Sequence, residues 1–418
     1  MTTGSLVVRG GEALSGTIPI SGAKNAALPI LIAALLAEKS TLENIPDIYD
    51  VTRLLDILKA AGSKVDRTAS EVRVSRSEKR GPIPIEALKE IRYSPLLIPV
   101  LAKQIGFGEL PFPGGCELGQ RPIHYHFEVL SRFGIVFTMK KNSYAFSADR
   151  LVGTSFRFPF PSVGATENAL LAASVSTGTS VLENCAIEPE IQDLEHFLTK
   201  LGVSIEGIGQ RRKLITPPDE LKSGVCHRVI SDRIEAITYM LLGIICESSI
   251  AISQISHEHL RSIYRVFDRL GITYQLGKDS FQFLSAKGNR SMTLKTGVHP
   301  GFPTDAQPLF SALFCHLSGG EHTIHESVFP SRVAHVEELQ KMGANIANQK
   351  NIISVFRASK SRSSRVTARD IRAGASVVLH ALGISGSTTV DNPHQIYRGY
   401  ENMLGKLLSV GAKIEVCA

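Results

Sequence analysis

One short pattern occurs six times along the chain and constrains the fold more than any other feature. Each copy joins the end of an amphipathic helix to a glycine and then to a strand-like segment, as in KAAGSKV and DRLGITY. Successive glycines are 72, 68, 69, 72 and 68 residues apart, which predicts six copies of one unit of about 70 residues. The six glycines are Gly62, Gly134, Gly202, Gly271, Gly343 and Gly411.

The same order of elements is predicted within each copy. An apolar helix comes first, a short strand second and an amphipathic helix third, and the glycine follows where a helix end favours a left-handed residue. The first helix is apolar on all sides, so we expect it to be buried. Alternating helices and strands predict an α/β fold. In the first copy the stripe of the amphipathic helix is Val51, Leu54, Leu55 and Leu58.

Six units predict two domains of three units each. The boundary is expected within residues 226–231, and the strand at residues 4–9, which precedes the first unit, is expected to pair with the last unit. The first domain would then be an insertion of residues 21–230, and residues 1–20 with 231–418 would form the second. Two domains joined in this way favour a cleft that closes on a ligand.

The composition excludes several classes of protein. The 418 residues include 46 Lys and Arg against 39 Asp and Glu, and the basic clusters lack the aromatics of a nucleic-acid-binding surface. Two of these clusters, residues 140–141 and 211–213, are assigned to the exposed surface. The longest apolar run has twelve residues, too few to span a membrane, and we recognise no signal peptide. The six cysteines lack metal-ligand spacing, which indicates free thiols in a reducing cytoplasm.

Charged residues recur at the starts of the predicted first helices, 38, 42, 38, 38 and 39 residues before the glycine of their copy. A helix N-terminus favours anions, and basic side chains there predict a site for phosphate and carboxylate groups. The alternative is helix capping, which does not explain basic residues at this end of a helix. The five charged residues are Lys24, Arg92, Arg233, Asp305 and Arg372. The candidate caps are Asp232, Thr304, Asp305 and Asp370.

A second group of residues lies in PFPGGCELGQRP, residues 111–122. Two glycines before Cys116 allow a tight backbone that exposes the next side chain. Arg121 follows five residues later, and a thiol near guanidinium groups is expected to have a lowered pKa, which makes it more reactive. The alternative is an ordinary buried cysteine, which we expect for the other five. From their local sequence alone, Arg332 and Arg398 are expected to be solvated surface residues.

These motifs, taken together, resemble those of the enolpyruvyl transferase family, and most closely its UDP-N-acetylglucosamine 1-carboxyvinyltransferase branch. The resemblance runs in order along nearly the whole chain, and GAKNAALP and GGC-x-x-G-x-R-P are its most specific parts. The remaining motifs are PSVGATEN, EPEIQD, SDRIEA, HPGFPTDAQ and IYRGYE.

The resemblance implies a fold and a reaction. The fold would be a two-domain inside-out α/β barrel built from six repeats. The reaction would transfer the enolpyruvyl group of phosphoenolpyruvate to the 3-hydroxyl of UDP-N-acetylglucosamine and release phosphate, the first committed step of peptidoglycan biosynthesis. No metal or organic cofactor is implied, and the expected partners are these two small molecules, with no nucleic acid and no membrane. We expect a cytoplasmic monomer and a target of the epoxide fosfomycin.

The resemblance also assigns roles to residues of this chain. Cys116 would be the acid that protonates phosphoenolpyruvate and Asp305 the general base, with Lys24 and Arg398 as further catalytic residues. Phosphoenolpyruvate would be bound by Lys24, Asn25, Arg121, Arg332, Arg372 and Arg398. UDP-N-acetylglucosamine would be bound by Arg92, Arg121, Pro122, Ser162, Val163, Gly164, Asp305 and Val328.

Two positions depart from the family pattern on the nucleotide side. His124 stands where the family often has an aspartate, and Phe160 where many members carry a lysine. These departures leave open an alternative, an enolpyruvyl transferase that acts on a different nucleotide or nucleoside acceptor. More distant alternatives are an RNA 3′-phosphate cyclase, for which no signature surrounds His394, and a non-catalytic nucleotide-binding relative, which would need no acid and base.

Overall fold

The chain divides into two compact units. A computed structural model describes residues 4–76, 83, 85–89, 91–112, 123–286, 290–357 and 361–417. Within these residues, the terminal unit contains 4–21 and 231–417, and the inserted unit contains 22–112 and 123–230. No helix of the described part is both long and apolar enough to cross a membrane.

The described residues form six small sheets, three in each unit. In five of them an edge strand runs parallel to its neighbour and the following two strands are antiparallel. The sheets of the inserted unit, in strand order, are Val225–Arg228, Lys39–Glu43, Glu71–Ser75, Lys64–Thr68; Ser155–Arg157, Ser180–Glu183, Lys213–Thr216, Ser204–Glu206; and Phe107–Pro111, Ser143–Ser147, Val136–Met139. Those of the terminal unit are Ser15–Pro19, Ser249–Ser253, Ser280–Ala286, Ile272–Leu276; Thr293–Lys295, His322–His325, Ile352–Phe356, Asn345–Gln349; and Arg365–Thr367, Gly386–Asp391, Ser5–Gly10, Lys413–Cys417.

Helices alternate with these strands, so the predicted α/β class is confirmed. The helices of the inserted unit are Lys24–Ala33, Tyr49–Ala60, Ile85–Leu88, Leu97–Ile105, His124–Arg132, Val163–Ala173 and Pro189–Lys200, with 3₁₀ turns at Ala34–Leu36 and Ser94–Leu96. Those of the terminal unit are Arg233–Ile245, Arg261–Leu270, Gln307–Phe314, Ala334–Lys341, Ile371–Leu382, His394–Tyr397 and Met403–Ser409, with 3₁₀ turns at Glu258–Leu260 and Thr304–Ala306.

The recurring glycines end the amphipathic helices, as predicted. All six have positive φ, between 71° and 100°, a conformation that residues with a Cβ rarely adopt. After the first of these helices, the N–H of Ser63 donates to the carbonyl of Leu58 across Gly62, at 3.0 Å, and satisfies a carbonyl at the helix end.

Three further structural predictions are confirmed. The first helix of the first copy, Lys24–Ala33, is buried at every residue except Asn25. The stripe of the next helix is buried as well, in the hydrophobic core of the inserted unit. The N-terminal strand Ser5–Gly10 pairs antiparallel with the last strand, Lys413–Cys417.

The assignment of residues 211–213 to the surface is wrong for Lys213. Its side chain is fully buried, and its ammonium group forms an ion pair with Glu195, which is fully buried too. Lys213 begins the strand Lys213–Thr216, in which residues 213 and 215 face inward and residue 216 outward, and this alternation buries the lysine despite its basic neighbours. Lys140 and Lys141 are exposed, as predicted.

Candidate active site

In the inserted unit, the predicted residue Lys24 is buried at the first position of an apolar helix. Its Nζ lies 2.6 Å from Oδ2 of Asp50, and less than a tenth of either side chain is exposed. A cation at a helix N-terminus opposes the macrodipole and loses hydration on burial, so it requires a nearby anion. Asp50 supplies that charge from the first turn of Tyr49–Ala60. The adjacent Asn25 accepts a hydrogen bond from the Tyr93 hydroxyl at 2.9 Å.

The predicted nucleotide-side residues 162–164 lie at the start of the helix Val163–Ala173. Ser162 caps this helix and accepts a hydrogen bond from the N–H of Ala165 at 3.4 Å. At Gly164, a Cβ would lie 2.8 Å from Cε1 of His126, so glycine is required for the imidazole to approach the helix. The same imidazole bonds through Nδ1 to the side-chain amide of Asn168 at 2.7 Å. Arg92 is half-buried in the same unit.

The two departures from the family pattern lie in one group of aromatic rings. The rings of His124 and Tyr125 have centroids 4.1 Å apart, and the ring of Tyr125 is nearly parallel to that of Phe160 at 6.4 Å. His124 and Phe160 are exposed and Tyr125 is half-buried. Flat, partly apolar surfaces of this kind suit stacking against a planar ring.

In the terminal unit, three predicted residues form one ion cluster. Asp305 lies between two guanidinium groups, with Oδ1 2.5 Å from Nη1 of Arg332 and Oδ2 3.2 Å from Nη2 of Arg372. Both arginines are almost completely buried, whereas a quarter of the Asp305 side chain is exposed. Each guanidinium also faces an aromatic ring, that of Phe329 for Arg332 and that of Tyr400 for Arg372, both at 5.2 Å.

The expectation that Arg332 is a solvated surface residue is therefore wrong. Its position depends on Glu326, a fully buried carboxylate that the sequence did not single out. Oε1 of Glu326 accepts hydrogen bonds from the N–H groups of Val328 and Phe329, at 2.9 and 2.8 Å, and Oε2 accepts one from the Thr304 hydroxyl at 2.9 Å. One carboxylate thus holds both the segment that leads to Arg332 and the residue before Asp305.

Opposing effects act on the proton affinity of Asp305. Burial by itself raises the pKa of this carboxyl, but the guanidinium groups of Arg332 and Arg372 act more strongly in combination, and the pKa lies well below its usual range. Asp305 is therefore ionised at neutral pH. A carboxylate stabilised to this degree is a weak proton acceptor.

Two of the four predicted helix caps do not cap a helix. Asp232 and Asp370 cap their helices with two backbone hydrogen bonds each. The Thr304 hydroxyl instead bonds to Glu326, and Asp305 to the arginines. The reason is that both residues lie in a 3₁₀ turn before Gln307–Phe314, a helix that has no side-chain cap.

Arg398, another predicted residue of the terminal unit, lies directly after the short helix His394–Tyr397 and is half-buried. Its Nη1 donates to Oε1 of Gln395 at 3.3 Å. The predicted residues Cys116, Arg121 and Pro122 lie outside the described residues. The other five cysteines are free thiols, but the expectation that all five are buried is wrong. Cys185 and Cys315 are buried and Cys246 is half-buried, whereas Cys226 and Cys417 are exposed in edge strands. No group of three or more His, Cys, Asp and Glu side chains in the described part is placed to hold a metal ion.

The structure thus brings Asp305, Arg332 and Arg372 together and places Lys24 against a carboxylate. The residues that sequence reasoning missed are their partners, chiefly Asp50, Glu326 and Tyr400. Asp50 carried a signal, since an acidic residue in the first turn of a helix is favourable there. Glu326 carried none, because Thr304, which it binds, is 22 residues away. Tyr400 carried none either, because Arg372, which faces it, lies in the separate helix Ile371–Leu382. In chemical terms, the cluster of Asp305, Arg332 and Arg372 has two guanidinium groups that can bind an anion and one carboxylate that can accept a proton.

Comparison with known proteins gives a consistent result along the whole chain. A model of the family described as EPSP synthase (3-phosphoshikimate 1-carboxyvinyltransferase) matches residues 8–407. The UDP-N-acetylglucosamine 1-carboxyvinyltransferase of Kosmotoga olearia is 37% identical over 420 residues, which cover 98% of each chain. The UDP-N-acetylglucosamine 1-carboxyvinyltransferase 1 of Carboxydothermus hydrogenoformans is 38% identical over 411 residues, covering 97% of this chain and 96% of that protein. The crystal structure of the enolpyruvyl transferase NikO from Streptomyces tendae superposes with a TM-score of 0.91 at 26% identity, covering 99% of each chain.

Proposed function

Because this chain belongs to the EPSP synthase family, we propose that it transfers the enolpyruvyl group of phosphoenolpyruvate to the 3-hydroxyl of UDP-N-acetylglucosamine and releases phosphate. The observation that carries this proposal is the Asp305 cluster, in which one carboxylate lies between two buried guanidinium groups. An acceptor hydroxyl needs a proton acceptor, and the substrate carboxylate needs fixed cations. The full-length relatives that carry the name of this reaction favour it over the alternative acceptor.

The reaction can be written with its protons assigned. Asp305 accepts the proton of the acceptor hydroxyl as its oxygen bonds to C2 of phosphoenolpyruvate, and Cys116 donates a proton to the methylene carbon C3. In the second step C3 returns a proton to the Cys116 thiolate, the double bond re-forms between C2 and C3, and phosphate leaves C2 with the proton that Asp305 had accepted. Arg332 and Arg372 would bind the carboxylate of phosphoenolpyruvate. Lys24, Asn25, Arg121 and Arg398 would bind its phosphate side.

For the sugar nucleotide, we propose binding by three residues at the start of the helix Val163–Ala173 and by five others. The N-terminus of this helix suits a diphosphate, and the exposed ring of Phe160 beside Tyr125 suits a nucleobase. The proposed residues are Arg92, Arg121, Pro122, Ser162, Val163, Gly164, Asp305 and Val328.

We further propose that the fold is a pair of inside-out α/β barrels built from six repeats, with residues 21–230 as one domain and residues 1–20 and 231–418 as the other. The shared strand order of five sheets and the six glycines with positive φ support this proposal. The enzyme is expected to act as a monomer in the cytoplasm, at the first committed step of peptidoglycan biosynthesis.

Phosphate release in the presence of phosphoenolpyruvate tests the proposed function. UDP-N-acetylglucosamine is expected to support turnover, and UMP and shikimate 3-phosphate are expected to give only the rate measured without acceptor. Turnover with UMP but not with the sugar nucleotide would establish the alternative acceptor instead.

Fosfomycin labelling tests the proposed role of Cys116. Cys116→Ser is expected to abolish covalent labelling by fosfomycin, measured by intact-protein mass spectrometry, because the serine hydroxyl is a far weaker nucleophile than a thiolate. Cys226→Ser is the matched control, since Cys226 is an exposed free thiol whose pKa is raised, first by desolvation and then by Glu43. This control should be labelled as the unchanged protein is. Labelling that persists in Cys116→Ser would assign the nucleophile to another residue.

A further inference from the structure

We propose that Asp305 occupies, in the ligand-free protein, the position between Arg332 and Arg372 that a substrate carboxylate takes over, so that binding of this carboxylate releases Asp305 to act as a base. This inference rests on the proposed function, because it takes the incoming carboxylate to be that of phosphoenolpyruvate. It concerns the order of events at one cluster, all of whose members belong to the terminal unit.

The first step of the argument is that both oxygens of Asp305 are engaged. Oδ1 accepts from Nη1 of Arg332 at 2.5 Å, and Oδ2 accepts from Nη2 and Nε of Arg372 at 3.2 and 3.4 Å. A general base must present an oxygen to the hydroxyl that it deprotonates. In this arrangement the carboxylate is instead the counter-ion of two arginines.

The second step is that both arginines have hydrogen-bond donors that are not in use. Nε of Arg332 and Nη1 of Arg372 are buried, and neither has a hydrogen-bond partner among the described residues. A guanidinium has five N–H donors and binds a carboxylate best through two of them. The cluster contains two positive charges and one negative charge from these three side chains, so it can accept a second carboxylate.

The third step concerns the charge balance after that carboxylate has bound. Two carboxylates that share two guanidinium groups compete for the same hydrogen bonds, and their mutual repulsion favours release of the one that is free to move. A quarter of the Asp305 side chain is exposed, whereas each arginine is buried and faces an aromatic ring. Asp305 is therefore the member that can leave. Loss of its contacts with the arginines raises the proton affinity of Asp305. Asp305 therefore becomes an effective base only when phosphoenolpyruvate is bound.

Nearby carboxylates are not equivalent to Asp305. Asp370 accepts hydrogen bonds from the N–H groups of Arg372 and Ala373 at 2.7 and 2.9 Å, as the cap of its helix. Asp232 has the same role at the helix Arg233–Ile245. Asp370 thus offers a matched control, because an asparagine in its place keeps the cap while removing one negative charge close to Arg372.

The test is the affinity for phosphoenolpyruvate, measured by isothermal titration calorimetry at pH 7.5 in the absence of acceptor. Asp305→Asn is expected to lower the Kd about tenfold, because the competing charge is removed while the shape is kept. Asp370→Asn is expected to change the Kd less than about twofold, as estimated for a charge that does not compete for these hydrogen bonds. An Asp305→Asn variant that binds phosphoenolpyruvate no more tightly than the unchanged protein would overturn the proposal.

A crystal structure of the unchanged protein with phosphoenolpyruvate gives a second test that needs no variant. The substrate carboxylate should lie within hydrogen-bond distance of Arg332 and Arg372, and Asp305 should have left Arg332. An Asp305 that still bridges both arginines would refute the exchange. Both measurements omit the acceptor, so they test the exchange independently of the proposed function. Failure of turnover with UDP-N-acetylglucosamine would overturn the proposed function, whereas the calorimetry and the crystal structure decide the exchange.

Discussion

Turnover by the Asp305→Asn variant is expected to fall by about 10²- to 10⁴-fold, the usual contribution of a positioned general base. The amide matches the carboxylate in shape but cannot accept the proton of the acceptor hydroxyl. The measurement is kcat from phosphate release with both substrates saturating. The loss should appear in kcat and not as a raised KM for phosphoenolpyruvate, since the arginines that would bind this substrate are unchanged.

The same assay on Asp370→Asn distinguishes the loss of a general base from the loss of a negative charge near Arg372. This control should retain kcat within about twofold, because Asp370 caps a helix and an asparagine does so equally well. Undiminished turnover by Asp305→Asn would remove Asp305 from the mechanism. An equal loss in both variants would indicate that the charge of the region matters and not the proton acceptor.

The largest effect on stability is expected at the buried ion pair of the inserted unit. Lys213→Met should lower the free energy of unfolding by about 3–5 kcal/mol, because it leaves Glu195 buried without its counter-ion. Neither side chain of the pair is exposed, and one backbone donor, the N–H of Gly209 at 3.0 Å, remains for Glu195. Urea unfolding at pH 7 measures this difference.

Two further variants show whether burial is the cause. The double variant Lys213→Met/Glu195→Leu should regain most of the lost stability, since no unpaired charge is left. Arg157→Met breaks an exposed pair with Glu183, at 3.3 Å, and should cost no more than about 1 kcal/mol. The deficit of Lys213→Met should also shrink as the pH falls, because burial raises the pKa of an unpaired glutamate and protonation then favours the folded state. A deficit below that of Arg157→Met would refute the buried-pair explanation.

The burial of the predicted site residues could be foreseen for some of them and not for others, and the difference follows from how each residue obtains its environment. Lys24 and Arg372 occur at repeated positions at the starts of apolar helices, so their burial beside a helix N-terminus could be predicted. Arg332 belongs to no such series, and its local sequence gives no reason to expect burial. It is 27 residues from Asp305, which is in turn 67 residues from Arg372. Only the folded chain brings these three charges together.

What the sequence determined by itself is the alternation of helices and strands, the burial of the first helix of the first copy and the six glycines with positive φ. These features depend on local properties, the period of apolar residues and the φ range that a Cβ excludes, which a few neighbouring residues contain in full. The tertiary structure decided which charge each ionisable group meets, as for Lys213 with Glu195 and Arg332 with Asp305. Coulomb attraction and the loss of hydration depend on distance in space and on burial, and sequence separation determines neither of them.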